Sequence, residues 1–413
     1  MNHAAAARFL LAVCFLVLFF NGGARFAIGL LLHPMAYDLA WSRSALSFSV
    51  TAFMVLSACA LPLVGRLTDR FGARTVLGLA VLVSALGLAA MSVVARPWEA
   101  LLFYGVVFAL GSAGTSVTPI GVLLSRWYPH RMGMANSIAI SGMGVGQLLV
   151  ISVLAVQLTT LGWRGSFLAL GVATLVCVLP LVLVAGRTAP PAPTPGRRPE
   201  ARASPTAAPA AAAADREAGT LREALASKRL RLLLVIYAIC GFQDFLVATH
   251  VVAFALDEGV DILLAGNMLA FMGLTGLAGV LLAGVLNDRF GPVLPTVLCF
   301  VLRIGVSALV LASREPAFIV GAALLYGVTF WMTAPLAVVF AREVAGLALL
   351  GTVSGLITMV HHGAGGIGAL AGASVFDTYG SYTNAFAAML VLSVVAVVLS
   401  GLLARRGRAT GAP

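Results

Sequence analysis

The chain has 413 residues, of which 61% are hydrophobic and only 10% charged. Soluble domains carry about 25% charged residues, so water is not this chain's main solvent. The formal net charge of +11 would suggest a nucleic-acid partner in a soluble protein, but here the placement of the basic residues gives it another meaning.

Crossing the hydrocarbon core takes roughly 20 apolar residues as helix. Twelve such runs lie between turns rich in Gly, Pro or charge, near 8–31, 44–65, 75–95, 99–124, 134–158, 164–186, 231–256, 263–286, 293–313, 317–341, 349–373 and 381–404. We refer to them as helices 1 to 12. The runs are continuous rather than alternating, which selects helices over a barrel. Helix 1 has a short apolar core, Phe9 to Phe20, after a lone Arg8, as a signal peptide would. No good cleavage site follows and hydrophobicity resumes beyond Arg25, so a retained helix is expected. With the amino terminus inside, Arg43, Arg96, Arg164 and Arg314 fall outside, Arg25 and Arg303 lie in helices, and the remaining 20 of 26 Lys and Arg are cytoplasmic. This is the positive-inside asymmetry; both termini are expected in the cytoplasm of an inner-membrane protein, with no nucleic acid as partner. Cys14, Cys59, Cys177, Cys240 and Cys299 all lie in apolar helices without paired spacing, and are expected to pack rather than form disulfides or a metal site.

Between Arg187 and Lys228 the composition turns to Pro and Ala, a tract that buries too little apolar surface to fold alone. It divides the chain into an N-terminal six-helix bundle (1–186), a cytoplasmic linker (187–230) with a short surface helix from Leu221 to Ser227, and a C-terminal bundle with a basic tail (231–413). The halves repeat each other. "GRLTDRFG" (65–72) returns as "GVLNDRFG" (284–291), identical at six of eight positions and offset by 219. The same offset pairs Gly22 with Gly241, Phe26 with Phe245, Asp38 with Asp257 and Phe167 with Phe386, while "YGVVF" (104–108) returns as "YGVTF" (326–330) at 222. Two parallel repeats with a binding site near the midplane are the construction of many secondary transporters.

The "GRLTDRFGARTVLG" stretch resembles the loop between helices 2 and 3 of the major facilitator superfamily, with 284–291 as that family's second copy. The resemblance spans the whole chain and implies an all-α membrane fold of two pseudo-symmetric six-helix bundles. It also implies that an Asp–Arg pair locks neighbouring helix ends, which assigns gating to Gly65, Asp69, Arg70, Gly72 and Arg74, and more weakly to Gly284, Asp288, Arg289 and Gly291. "RWYPHRMGMANSIAISGMGVGQ" (126–147) is similar to the helix 4–5 region of the monocarboxylate and oxalate/formate group. Several animal monocarboxylate carriers have an Asp and an Arg in helix 8, where this chain reads "MGLTGLAGVLLAG", so their anion site does not transfer.

A charge inside a membrane helix costs about 2.5–3.5 kcal/mol on insertion scales and marks a functional position by default. Arg25 in helix 1 falls on Asp244 in helix 7 at the 219 offset. Two arrangements are open: Arg25 binds a substrate carboxylate through its fork of donors while Asp244 carries a proton or releases Arg25, or the two form a fixed pair. Asn21, Phe26 and Gln243 are candidates through proximity. His250 is a further proton-coupling candidate, and His361 and His362 interrupt helix 11, where one of two neighbours is expected to face a cavity. Tyr326 and Phe330, four apart, with Trp331, form an aromatic wall for the apolar part of an organic acid or pack in the ordinary way. Arg303 is expected to snorkel or to make a helix–helix hydrogen bond. No metal is expected, since no third and fourth ligand is evident, and no cofactor.

These features describe a secondary transporter, not an enzyme, moving a small organic anion, a monocarboxylate, coupled to protons or anion exchange. The only Lys is Lys228 and no Gly-rich loop ends in Lys-Ser or Lys-Thr, so no nucleotide site is expected. A monomer is expected. Two competing readings are transport of a neutral or cationic drug-like compound and a non-transporting sensor; Arg25 opposes a cation, and a sensor would need a folded signalling domain.

Overall fold

The computed structural model describes residues 3–41, 43–185 and 220–409. All regular structure among them is helical. Among the described residues, ten helical stretches are long and apolar enough to cross a membrane. One of these, Met132–Ala185, contains both helix 5 and helix 6, with Gly162 at φ 62° between them. Helix 11 is Leu350–Tyr379, whose glycines and paired histidines dilute its hydropathy. The chain is thus an all-α membrane protein of twelve spans. The tract from 186 to 219 lies outside the described residues; from Thr220 onward the short helix is present as Leu221–Ala226, closed by a capping box between Thr220 and Glu223.

By internal contacts the chain forms two compact units. Unit 1 comprises Met1–Pro199 with Leu350–Gly355, and unit 2 comprises Glu200–Leu349 with Leu356–Pro413. The core of unit 1 gathers Phe53, Leu88, Tyr104, Phe108, Trp163 and Phe167. That of unit 2 gathers Phe254, Met268, Met272, Tyr326, Phe386 and Met389. Phe167 and Phe386, one of the repeated pairs, are both core residues.

Two local devices explain sequence features met above. In the repeated "DRFG", Gly72 and Gly291 stand at φ 83° and 81°, a left-handed conformation that favours glycine and ends helices 2 and 8 alike. In "NGGAR", Gly22 lets helix 1 lie against helix 5, since a Cβ there would sit 2.5 Å from the Met143 carbonyl oxygen.

The membrane offers little hydrophobic drive between helices, so such close backbone contact matters. Gly22→Ala is expected to destabilise unit 1 by about 1–3 kcal/mol, whereas Gly78→Ala, whose Cβ would meet only Leu183 Cδ2 at 3.9 Å, is neutral or slightly stabilising. Thermal unfolding in detergent separates the two.

Candidate functional site

Helix 7 of unit 2 (Lys228–Asp257) places Cys240, Gln243 and Asp244 on one face, at spacings of three and four. Opposite them, helix 9 (Val293–Ala312) contributes Arg303, which is completely buried. Its Nη2 donates to Asp244 Oδ1 at 2.6 Å. The other donors are also used: Nη2 reaches the Thr329 carbonyl at 3.3 Å, Nε the Thr329 hydroxyl at 3.1 Å, and Nη1 Gln243 Oε1 at 3.2 Å and the Cys240 carbonyl at 3.4 Å. A guanidinium has five N–H groups, and each has an acceptor. Tyr326 and Phe300 flank the cation at 4.9 and 5.6 Å from their ring centres.

Asp244 is equally engaged. Oδ1 also accepts from the Tyr326 hydroxyl at 3.0 Å, and Oδ2 lies 3.1 Å from His361 Nε2 and 3.4 Å from Cys240 Sγ. Gln243 Nε2 donates to the Met389 carbonyl and the Ser393 hydroxyl, both at 2.9 Å. Asp244 therefore has its counter-ion, Arg303, within its own unit, which corrects the fixed Arg25–Asp244 pair among the expected arrangements. Arg303 does not snorkel; it makes helix–helix hydrogen bonds, the other arrangement expected, and is the centre of the unit's polar network. The repeat could not reveal this, because the 219 offset maps Arg303 onto Ser84. Charge balance could have: Asp244 and Arg303 are the opposite charges that helices 7 and 9 carry deep in their apolar stretches.

Cys240, Asp244 and His361 bring their ligand atoms within 4.8 Å of one another, so three metal-capable groups do meet. A dication there would face the Arg303 guanidinium across the same carboxylate, and the cluster is better described as a hydrogen-bonded network.

The remaining unit 2 candidates are spread out. His250 lies 2.9 Å from the Ala369 carbonyl through Nε2 and 3.1 Å from the Tyr382 hydroxyl through Nδ1. A carbonyl only accepts, so Nε2 is the donor to Ala369; His250 thus ties helix 7 to helix 11 and has no bond to Asp244. His362 bonds the Thr358 carbonyl at 2.8 Å. Tyr326 belongs to the Asp244 network rather than to an apolar wall. Phe330 and Trp331 meet edge to face at 5.3 Å, and helix 10 breaks there: Pro316–Phe330 ends, and Ala334–Ala345 begins after a turn.

In unit 1, Arg25 is half-buried and its guanidinium lies 5.8 Å from the Phe53 ring. Phe53 stacks on Phe108 at 5.3 Å and meets Tyr104 at 5.0 Å, and the Tyr104 hydroxyl donates to the Arg25 carbonyl at 3.2 Å. Among the described residues no carboxylate pairs with Arg25. One turn earlier, Asn21 is buried and its amide donates to Thr115 Oγ1 at 2.7 Å and to Ser112 Oγ and carbonyl at 3.1 and 3.0 Å. Phe26 is half-buried. The same unit holds the first copy of the repeated "DRFG" stretch. Asp69 accepts from the Gly351 and Thr352 amides, each at 2.8 Å, and from the Thr352 hydroxyl at 2.7 Å. It therefore caps the first turn of helix 11 with backbone bonds, while Arg70 lies over the Phe71 ring at 5.1 Å. In the second copy, Asp288 Oδ1 accepts from Asn287 at 3.1 Å.

The profile of the Major Facilitator Superfamily matches residues 14–369. The chain belongs to the major facilitator superfamily. It is 26% identical over 394 residues to the uncharacterized MFS-type transporter YcxA of Bacillus subtilis, covering 90% of this chain and 87% of that protein. It is 28% identical over 367 residues to human monocarboxylate transporter 11, covering 85% and 71%. Among solved structures, the fucose:proton symporter FucP of E. coli superposes with a TM-score of 0.74 over 98% of this chain and 99% of that one, at 13% identity. That likeness shows the fold, and the family match makes this a membrane transporter of the superfamily.

Removing one partner of a buried ion pair leaves an uncompensated charge, at about 3–5 kcal/mol. Arg303→Gln is expected to cost this much, seen as a large drop in the unfolding midpoint, while the paired change Arg303→Leu with Asp244→Leu recovers most of it.

Proposed function

We propose that this transporter moves a small organic anion, a monocarboxylate, across the inner membrane by alternating access, as a monomer with both termini in the cytoplasm. The observation that carries this is the contrast between the two buried arginines. Arg303 is neutralised and fully bonded within unit 2, whereas Arg25 keeps its donor fork without a carboxylate partner among the described residues. A half-buried arginine kept unpaired at membrane depth is a group waiting for an anion, and its planar fork matches a carboxylate. The likeness to a protein named as a monocarboxylate transporter supports the substrate class. A cationic substrate is disfavoured, because the deep carboxylate of unit 2 is already matched by Arg303.

Coupling is assigned to Asp244, exchanging a proton against its bond to Arg303 or, in an exchanger, staying paired throughout. His361, on the other carboxylate oxygen and partly exposed, is the route by which a proton reaches it. His250, bonded on both ring nitrogens, holds two helices together.

A thermal-shift screen of the purified protein against neutral, cationic and carboxylate compounds tests the substrate class, with stabilisation expected from monocarboxylates alone. Arg25→Lys keeps the charge but loses the fork, and is expected to weaken binding about tenfold, ~1.4 kcal/mol. Unchanged affinity in that variant would remove Arg25 from the site.

A further inference from the structure

Helix 4 of unit 1 is not continuous. It stops at Gly114, passes through Thr115 and Ser116, and restarts as Val117–Trp127. The first N–H groups of a helix have no acceptor within it and form the positive end of the helix dipole, which favours anions. Such a terminus inside a membrane is normally capped. Here Ser116 stands at the capping position, but its hydroxyl caps nothing and has no partner among the described residues.

A second, independent observation marks the same end. Thr118, in the first turn of the restarted helix, is 0% exposed, and its hydroxyl also has no partner among the described residues. Side chains on a helix lean toward its N-terminus, so this hydroxyl adds a donor to the free amides. Ser116 and Val117 are partly exposed between buried Thr115 and Thr118, while both unpartnered hydroxyl oxygens are themselves buried. Asn21 fixes where it lies: its amide bonds Thr115 at 2.7 Å, and Arg25 follows one turn along helix 1, about 6 Å by helical rise.

The second repeat supplies a contrast. Helix 10 also breaks and restarts, at Ala334, behind Thr333. There the Thr333 hydroxyl is engaged by Cys240 at 3.3 Å and its carbonyl accepts from the Tyr237 hydroxyl at 2.9 Å. Both helices break, and neither capping-position hydroxyl caps the restarted helix; that of Thr333 is occupied by Cys240, whereas that of Ser116 has no partner among the described residues.

We propose that the restart of helix 4 is an anion-binding element of the transport site. The Val117 and Thr118 amides and the Ser116 and Thr118 hydroxyls hold oxygens of the substrate that Arg25 attracts. This rests on the organic-anion reading and adds a specificity determinant to it: an anion with a second acceptor group, such as a 2-hydroxy acid, meets both Arg25 and the helix end, whereas a plain aliphatic or aromatic acid meets one of them.

The test compares binding of L-lactate and benzoate to the full-length protein in detergent, by calorimetry, in three variants. Ser116→Asp supplies a built-in carboxylate that caps the free amides; it is expected to lower L-lactate affinity at least tenfold while raising the ligand-free unfolding midpoint. Thr118→Val removes an unpartnered buried hydroxyl; it is expected to weaken L-lactate several-fold, benzoate less, and to leave the midpoint unchanged or higher. A merely structural role would move the midpoint and not the affinity. If both variants bind L-lactate like the wild type while Arg25→Lys does not, the helix end is not part of the site and the anion reading survives. If neither probe binds the wild-type protein, both ideas fall together.

Discussion

The ion pair between Asp244 and Arg303 sets the polarity of everything else. Two charges deep in apolar surroundings are tolerable only when matched and hydrogen-bonded, and here every donor of the guanidinium and both carboxylate oxygens are engaged. Five helices of unit 2 meet at this point: helices 7 and 9 through the charges, helix 10 through Tyr326 and Thr329, helix 11 through His361, and helix 12 through Ser393. Because Asp244 is satisfied locally, it does not have to neutralise Arg25. The one pair therefore fastens a bundle and, under the proposed function, leaves Arg25 for the anion.

The repeat then appears as one frame with two fillings. Asn21 bonding Thr115 has its counterpart in Cys240 meeting Thr333, and Tyr104 its counterpart in Tyr326. The charged positions differ in kind. Where unit 2 has a carboxylate, unit 1 has Arg25; where unit 2 has Arg303, unit 1 has Ser84, whose buried hydroxyl has no partner among the described residues and which lines a small cavity with Asn21, Thr115 and Thr174. In unit 2 the charged groups are bonded to one another, whereas in unit 1 Arg25 has no carboxylate partner among the described residues. The proposed anion transport needs such asymmetry, since a site whose groups all satisfy one another has nothing left for a ligand.

Much of the fold is legible in the sequence because its signals are local: apolar run length, glycines in "DRFG" that end helices 2 and 8, and a repeat that needs only counting. The site is less legible because its decisive facts are pairings across helices. Residue offsets put Arg25 opposite Asp244, yet the bond that matters runs to Arg303, which has no charged counterpart in the first repeat. Tyr326 was visible as an aromatic at helical spacing, but only packing shows its hydroxyl turned to Asp244. The break in helix 4 is marked by "GTSVTP", a stretch of small and hydroxyl residues ahead of a proline that also fits an unbroken membrane helix. Asp69 stands out in its motif, whereas its partners, backbone amides of helix 11, carry no sequence signature.

The two arginines are distinguished most directly by nitrogen-15 NMR of their side-chain Nε–H groups, assigned with Arg25→Lys and with the paired Arg303→Leu, Asp244→Leu variant. The account predicts an Arg303 signal protected from solvent exchange with or without carboxylate, and an Arg25 signal that exchanges rapidly and then shifts and becomes protected as L-lactate is added. An Arg25 signal that ignores carboxylate, or an Arg303 signal that moves in its place, would contradict it.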